Sequence, residues 1–349
     1  MSTPDSIRRR SEEQGGPAAG RTAASQDDVA DEHAEQQAAR VPGGTADKPQ
    51  EIPVKGWFQI AKRGWKEAQQ DNVPLMAAGV AFYAFLSIFP ALLAVISIYG
   101  LVSTPEDVTA QIESIGAALP ESARALLEQQ LTQLVTASSS GLGWSLALSV
   151  ALALYSASNG VGNLITAVNI AYDEHDDRGF IKRKALALVL TLGAIIVVVV
   201  ALALLAVLPG VLNALNLSGL ATFGIQVARW VGLLILITVA LAVIYRVAPD
   251  RDAPKMRWVS VGAGIATALW LIVSVGFTLY ANIFGYGSTY GALAGVVVLL
   301  MWLWLSSYAV LLGAEINAES EQQTVKDTTK GAPQPIGERN AVKADTVPA

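Results

Sequence analysis

Apolar residues follow one another without alternation through six stretches of the chain, 76–102, 142–172, 185–208, 226–247, 259–282 and 290–314, and almost no formal charge interrupts them. Each stretch reaches or exceeds the roughly 20 residues that a helix needs to cross hydrocarbon. Continuous rather than alternating hydrophobicity selects helices over a closed barrel. The pattern predicts an all-α membrane protein with six transmembrane helices.

Polar positions between the runs carry a second pattern. Lys55, Lys62, Arg63 and Lys66 precede the first run. Arg178, Lys182, Arg183 and Lys184 separate the second from the third, and Arg246, Arg251, Lys255 and Arg257 the fourth from the fifth. The alternate connections hold only Arg124 and Arg229. Basic residues collect on the cytoplasmic side of bacterial membrane proteins, so both termini are expected in the cytoplasm.

Outside the runs, 54–70 sets Trp57, Ile60, Ala61 and Trp65 at helical spacing against the four basic residues. This predicts either an interfacial helix or an amphipathic helix packed on the inner face of the bundle. In the connection 103–141, Pro105 and Pro120 each open a helix-start signal, and Ala123, Leu126, Leu127, Leu131 and Leu134 share one face. An amphipathic outer helical pair over the bundle mouth is expected there. Residues 1–52 and 320–349 are too polar to bury a core and are expected to be disordered cytoplasmic tails, leaving 53–319 as the membrane domain.

Composition narrows the chemistry. Hydrophobic residues make up 52% and charged ones 15% of the chain, a balance foreign to soluble domains. Cysteine is absent, and the two histidines, His33 and His175, show no metal-ligand spacing. A net charge of −5 exerts no pull toward nucleic acid. No catalytic, cofactor or metal site is expected, and the chain reads as a non-enzyme. The acidic run Asp173-Glu174-His175-Asp176-Asp177 reads as a hydrated loop followed by a basic anchor.

What remains is a candidate polar pathway. Asn72, ahead of Pro74, is placed to cap the first spanning helix, where Ser87 and the mid-run Pro90 stand further along; proline frees the carbonyl of Leu86. Asn159, Asn163, Thr166 and Asn169 follow 4, 3, 3 spacing and form one stripe on the second helix. Such a stripe either lines a hydrophilic path or bonds neighbouring helices, and Gly160 and Gly162 permit close approach beside it. Asn282 and Tyr290 bracket the last outer turn, and Glu315 and Asn317 lie at the inner end of the sixth run. No charged residue sits deep in any run, which argues against a carboxylate proton pump. Gly262 with Ala266, and Gly264 with Ala268, make small-residue pairs suited to internal packing or to a homo-oligomer.

Several segments together resemble the YihY/virulence factor BrkB family. They are Asp71-Asn72 followed by Ala77-Ala78-Gly79-Val80-Ala81-Phe82-Tyr83, then Ser87-Ile88-Phe89-Pro90, and Asn163 with Asn169-Ile170-Ala171-Tyr172. Asn282 with Thr289-Tyr290-Gly291-Ala292-Leu293, and Gly313-Ala314-Glu315-Ile316-Asn317-Ala318, complete the set. The resemblance implies a six-helix protein of the bacterial inner (plasma) membrane with no settled molecular activity. It also carries a historical ribonuclease BN label that this histidine-poor chain does not support. The favoured reading is a transporter or flux protein for a small-molecule or lipid substrate, with the bilayer as partner and no nucleic acid. The alternative is a non-enzymatic scaffold or envelope-integrity protein of the serum-resistance type; a ribonuclease is disfavoured.

Overall fold

In the computed structural model the described residues are 36–102, 142–207, 219–284 and 292–346. Seven long helices carry them: α1 Val54–Gln70, α2 Val73–Val102, α3 Leu142–Ala171, α4 Phe180–Leu202, α5 Gly219–Val247, α6 Met256–Phe284 and α7 Ala292–Gln322. Every apolar run falls on one of α2 to α7. Four helical stretches, Phe180–Leu205, Gly219–Val247, Met256–Tyr280 and Gly295–Gln322, are long and apolar enough to cross a membrane. The count among the described residues rises to five if the bent pair α1–α2 forms one span. The chain is an all-α membrane protein. The expected outer helical pair in 103–141 lies outside the described residues.

α1 and α2 meet at 68°. The bend is made by Asn72, whose φ of 54° is one that asparagine tolerates better than most residues. Asn72 does begin α2, since its carbonyl accepts the N–H of Leu75 and of Met76. Its side chain, however, turns back and donates to the Gln70 carbonyl at 3.2 Å, serving α1 instead of the expected cap on α2. α1 buries Gly56, Ile60, Gly64 and Ala68, one face at four-residue spacing. Gly64 lies against Ile316 and Glu319 of α7. Phe58 and Trp65 stay exposed on the remaining surface. The helix therefore packs on the bundle with one face and leaves aromatic rings outward with another.

The core joins α2, α3, α5, α6 and α7 through small and β-branched residues, among them Ala77, Ile165, Val168, Ala171, Ala263, Ala266, Ala314 and Ala318. Without a hydrophobic drive between helices in lipid, close packing and interhelical hydrogen bonds must hold them. Both are present between α6 and α7. A Cβ on Gly262 would stand 2.3 Å from Asn317 Oδ1 and 2.4 Å from the Gly313 carbonyl; one on Gly313 would meet Ala266 Cβ at 2.5 Å. Asn317 accepts the Gly262 N–H at 2.7 Å and donates to the Val259 carbonyl at 3.1 Å. Tyr245 of α5 donates to the Val310 carbonyl of α7 at 2.6 Å. The pair Gly262 and Ala266 thus serves internal packing, whereas Gly264 faces open space.

The terminal segments depart from the composition-based expectation. Residues 36–52 and 323–346 are not loose tails but pack together on one end of the bundle. Val325 N–H donates to the Gly44 carbonyl at 2.9 Å, Thr324 donates to the Ala46 carbonyl at 2.8 Å, and Gln323 donates to the Pro42 carbonyl at 2.8 Å. Ala46 and Ile52 join Ile60 and Trp258 in a small second core. Polar segments that could not fold alone are held here by a surface the bundle supplies.

Gly262→Ala should place a methyl group where no space exists and cost about 1–3 kcal/mol, as overpacking generally does. Thermal unfolding of the detergent-purified protein should show a lowered midpoint for Gly262→Ala, with Gly264→Ala as the unaffected comparison.

Candidate functional site

Two polar assemblies stand out among the described residues. The first is an open cavity of about 370 Å3 between α2, α3 and α4. Tyr83 lines it from α2; Ser158, Asn159, Gly162 and Asn163 from α3; Phe180, Arg183, Lys184 and Ala187 from α4. α3 approaches α2 closely at Gly160, where a Cβ would lie 3.4 Å from Ser87 Oγ, while Gly162 opens onto free space. One glycine brings the helices together and the next leaves room beside them.

The cations in the cavity are held in place. Lys184 Nζ donates to Asn159 Oδ1 at 2.8 Å and to the Tyr155 carbonyl at 3.2 Å, and sits 3.8 Å over the Tyr155 ring. Arg183 donates to Thr166 Oγ1 and lies 3.5 Å from the Asp176 carboxylate. Asp176 is itself held by Arg178 at 2.7 Å. Burial alone would raise the Asp176 pKa, but the hydrogen bonds and charge of Arg178 and the charge of Arg183 outweigh it and hold it below the usual range. α4 begins at Phe180, so Arg183 and Lys184 belong to its first turns instead of a loop, and their side chains reach along α3.

The stripe on α3 is real but divided in role. Asn163 donates to the Asn159 carbonyl at 2.8 Å and Thr166 to the Gly162 carbonyl at 3.1 Å, within their own helix. Asn169 is buried, donating to the carbonyls of Ile165 and Ala248 and accepting the Asp250 N–H at 2.8 Å. Asn159 and Asn163 therefore face the cavity, and Asn169 ties α3 to the 248–250 connection. Ser87 donates to the Tyr83 carbonyl at 2.7 Å at the cavity's edge. Pro90 and Asn282 lie on α2 and α6 where only the backbone is described, and Tyr290 lies outside the described residues.

The second assembly closes the end of the bundle where 36–52 and 323–346 gather. Arg251 and Glu321, both fully buried, pair at 2.6 Å, and the guanidinium lies 4.7 Å over the Tyr172 ring. Lys343 bridges Glu319 at 2.8 Å and Asp173 at 2.9 Å, and Arg63 of α1 reaches Glu319 at 2.6 Å. Burial would lower the Lys343 pKa, but the Glu319 charge and hydrogen bond overcome it and raise it above the lysine range. Glu315 is fully buried beside Asp71, Glu319 and Asp173. It does not reach the cavity, and nor does Asn317, whose amide binds α6. Asn159 and Asn163 line the cavity, and Asn72 and Glu315 stand away from it.

Three members of the acidic loop are engaged: Asp173 binds Lys343, Glu174 accepts the Val342 N–H at 2.9 Å, and Asp176 binds Arg178, while His175 and Asp177 stay exposed. Among the described residues no group of three His, Cys, Asp or Glu is placed to hold a metal ion. Sequence reading missed Arg183 and Lys184 as cavity residues. The signal available was their position immediately before the apolar run at 185.

The family model for virulence factor BrkB matches residues 65–336. The ribonuclease-like protein YfkH of Bacillus subtilis is 31% identical over 249 residues, covering 69% of this chain and 88% of its own. A UPF0761 membrane protein of Alteromonas mediterranea is 27% identical over 283 residues, covering 78% and 90%. No solved structure matches.

Two outcomes follow for the closed end. Glu321→Gln leaves the buried Arg251 without a counter-charge, a change that typically costs about 3–5 kcal/mol; trypsin should then cut at Lys326 and Lys330 in conditions where the parent resists. Lys343, with its raised pKa, contributes fully at and below the usual lysine range and loses its contribution only as pH rises through that raised value. The difference in trypsin resistance of 323–346 between the parent and Lys343→Gln should accordingly be constant between about pH 6 and 9.

Proposed function

The chain belongs to the virulence factor BrkB family, and on that premise we propose a membrane flux protein for a small or amphipathic solute. All six apolar helices, α2 to α7, span the plasma membrane, with both termini in the cytoplasm. The protein is not an enzyme. The observation that carries this reading is the open polar cavity between α2, α3 and α4, with amides and two cations where lipid-facing helices ordinarily present only hydrocarbon. The basic connections and the placement of α1, which leaves Phe58 and Trp65 outward at the same end, support the cytoplasmic assignment of that end.

A scaffold without a solute path draws on a different observation. Asn169, Asn317 and the Arg251–Glu321 pair are spent on joining helices and the terminal segments. The two readings separate in proteoliposomes. Purified protein should accelerate either the transbilayer movement of tail-labelled phospholipids or the release of entrapped phosphate above empty vesicles. Gly162→Phe, which fills the cavity from a position with open space around it, should abolish most of that movement. Vesicles with and without protein behaving alike in both assays would leave the scaffold.

Orientation has its own test, helped by the absence of cysteine. A single cysteine at His175 should be blocked by impermeant maleimide only in inverted membranes, and one at Ser218 only in intact cells with a permeable outer envelope.

A further inference from the structure

Lys184 is in an unusual place for a lysine. Near a helix end in a membrane, lysine ordinarily extends outward so that its ammonium meets water and headgroups. Here the side chain runs inward along α3 to Asn159, twelve residues from the helix end at Ala171, a distance of about 18 Å at 1.5 Å per residue. The contacts described for it spend two of three ammonium donors, on Asn159 Oδ1 and the Tyr155 carbonyl. Neither acceptor is charged. Arg183 shares the cavity wall, its nearest carboxylate, Asp176, already held by Arg178. Among the described residues no acidic side chain lines the cavity, and the two cations share it with two amides, a hydroxyl, a phenol and the apolar Phe180 and Ala187.

The surroundings define what sort of anion fits. On α3, Leu148, Leu152 and Tyr155 are exposed and stand at four- and three-residue spacing, on the same face as Asn159. They form an apolar stripe leading directly to the lysine. On α4, Phe180 and Ile181 are 77% and 81% exposed beside the cavity. A soluble anion would have no use for this apolar track, and a neutral lipid none for the two cations.

We propose that the cavity between α2, α3 and α4 seats the phosphate of an anionic phospholipid, with Lys184 and Arg183 as its counter-ions and Leu148, Leu152 and Tyr155 as the track for an acyl chain. Asn159 holds the ammonium in place before the lipid arrives, and Asn163 offers an amide to the headgroup edge. The inference deepens the flux reading and rests on the same cavity, but it concerns what binds there and does not require that the lipid be moved.

The test uses the full-length protein in detergent micelles, titrated with tail-labelled phosphatidylglycerol or phosphatidylcholine, with soluble glycerol phosphate as competitor. Phosphatidylglycerol should bind more tightly, and Lys184→Gln should weaken it about tenfold, the scale of one lost charge-assisted hydrogen bond, while leaving phosphatidylcholine unchanged. Lys184→Arg should recover most of the affinity, and Lys182→Gln, at an exposed neighbour outside the cavity, should have no effect. An unchanged unfolding midpoint for Lys184→Gln guards against misfolding. Equal binding of the two lipids, equal losses at Lys182 and Lys184, or competition by glycerol phosphate as strong as by the lipid would each overturn the proposal, the last by assigning a soluble anion. Headgroup-selective binding without movement in vesicles would uphold it and remove the flux reading. Movement blocked by Gly162→Phe yet indifferent to headgroup and to Lys184 would do the reverse.

Discussion

α7 can pack against α1, α2, α3 and α6 at once because glycines let it meet α6 at very short range. Gly262 and Gly313 bring the two backbones so close that a single methyl group has nowhere to go. The Asn317 amide spans the same gap in both directions, accepting from one α6 backbone group and donating to another. In a lipid solvent this contact has little help from hydrophobic exclusion, so steric fit and hydrogen bonding carry it. Tyr245 then anchors α5 to α7, and Gly64 sets α1 against the far end of α7.

From that hub the polar groups separate into two kinds. At the closed end, charges meet charges: Arg251 with Glu321, Lys343 with Glu319 and Asp173, Arg63 with Glu319. These pairs pull the terminal segments onto the bundle and engage Asp173 of the acidic loop. In the cavity, Lys184 meets an amide oxygen, a backbone carbonyl and a ring face, and Arg183 meets a hydroxyl with Asp176 at 3.5 Å. A cation held by neutral acceptors, as Lys184 is, keeps its charge for an anion, whereas a structural ion pair has already spent it. The contrast between these two settings, more than the number of polar residues, gives the cavity its functional reading.

The legible parts of the fold were those governed by local period. The helix at Val54–Gln70, the six apolar runs and the asparagine stripe all followed from spacing along the chain. The stripe's purpose did not, because Asn159 and Asn169 look alike in sequence and differ only in what stands opposite: the ammonium of Lys184 for one, the 248–250 backbone for the other. Lys184 itself was hidden among basic residues whose usual work is to mark the cytoplasmic side. Residues 323–346 were read as solvated because their partners lie far away in sequence, at Gly44, Ala46 and Asp173.

By itself, then, the sequence determined the solvent, the helices and the segregation of basic connections, since hydrophobic length and charge placement act locally and without partners. Only the tertiary structure decided which small residues form the close contact between α6 and α7. It alone decided which asparagines tie helices and which face a cavity, and which lysine turns inward. Those outcomes depend on the groups brought opposite one another, and long-range packing alone sets that opposition.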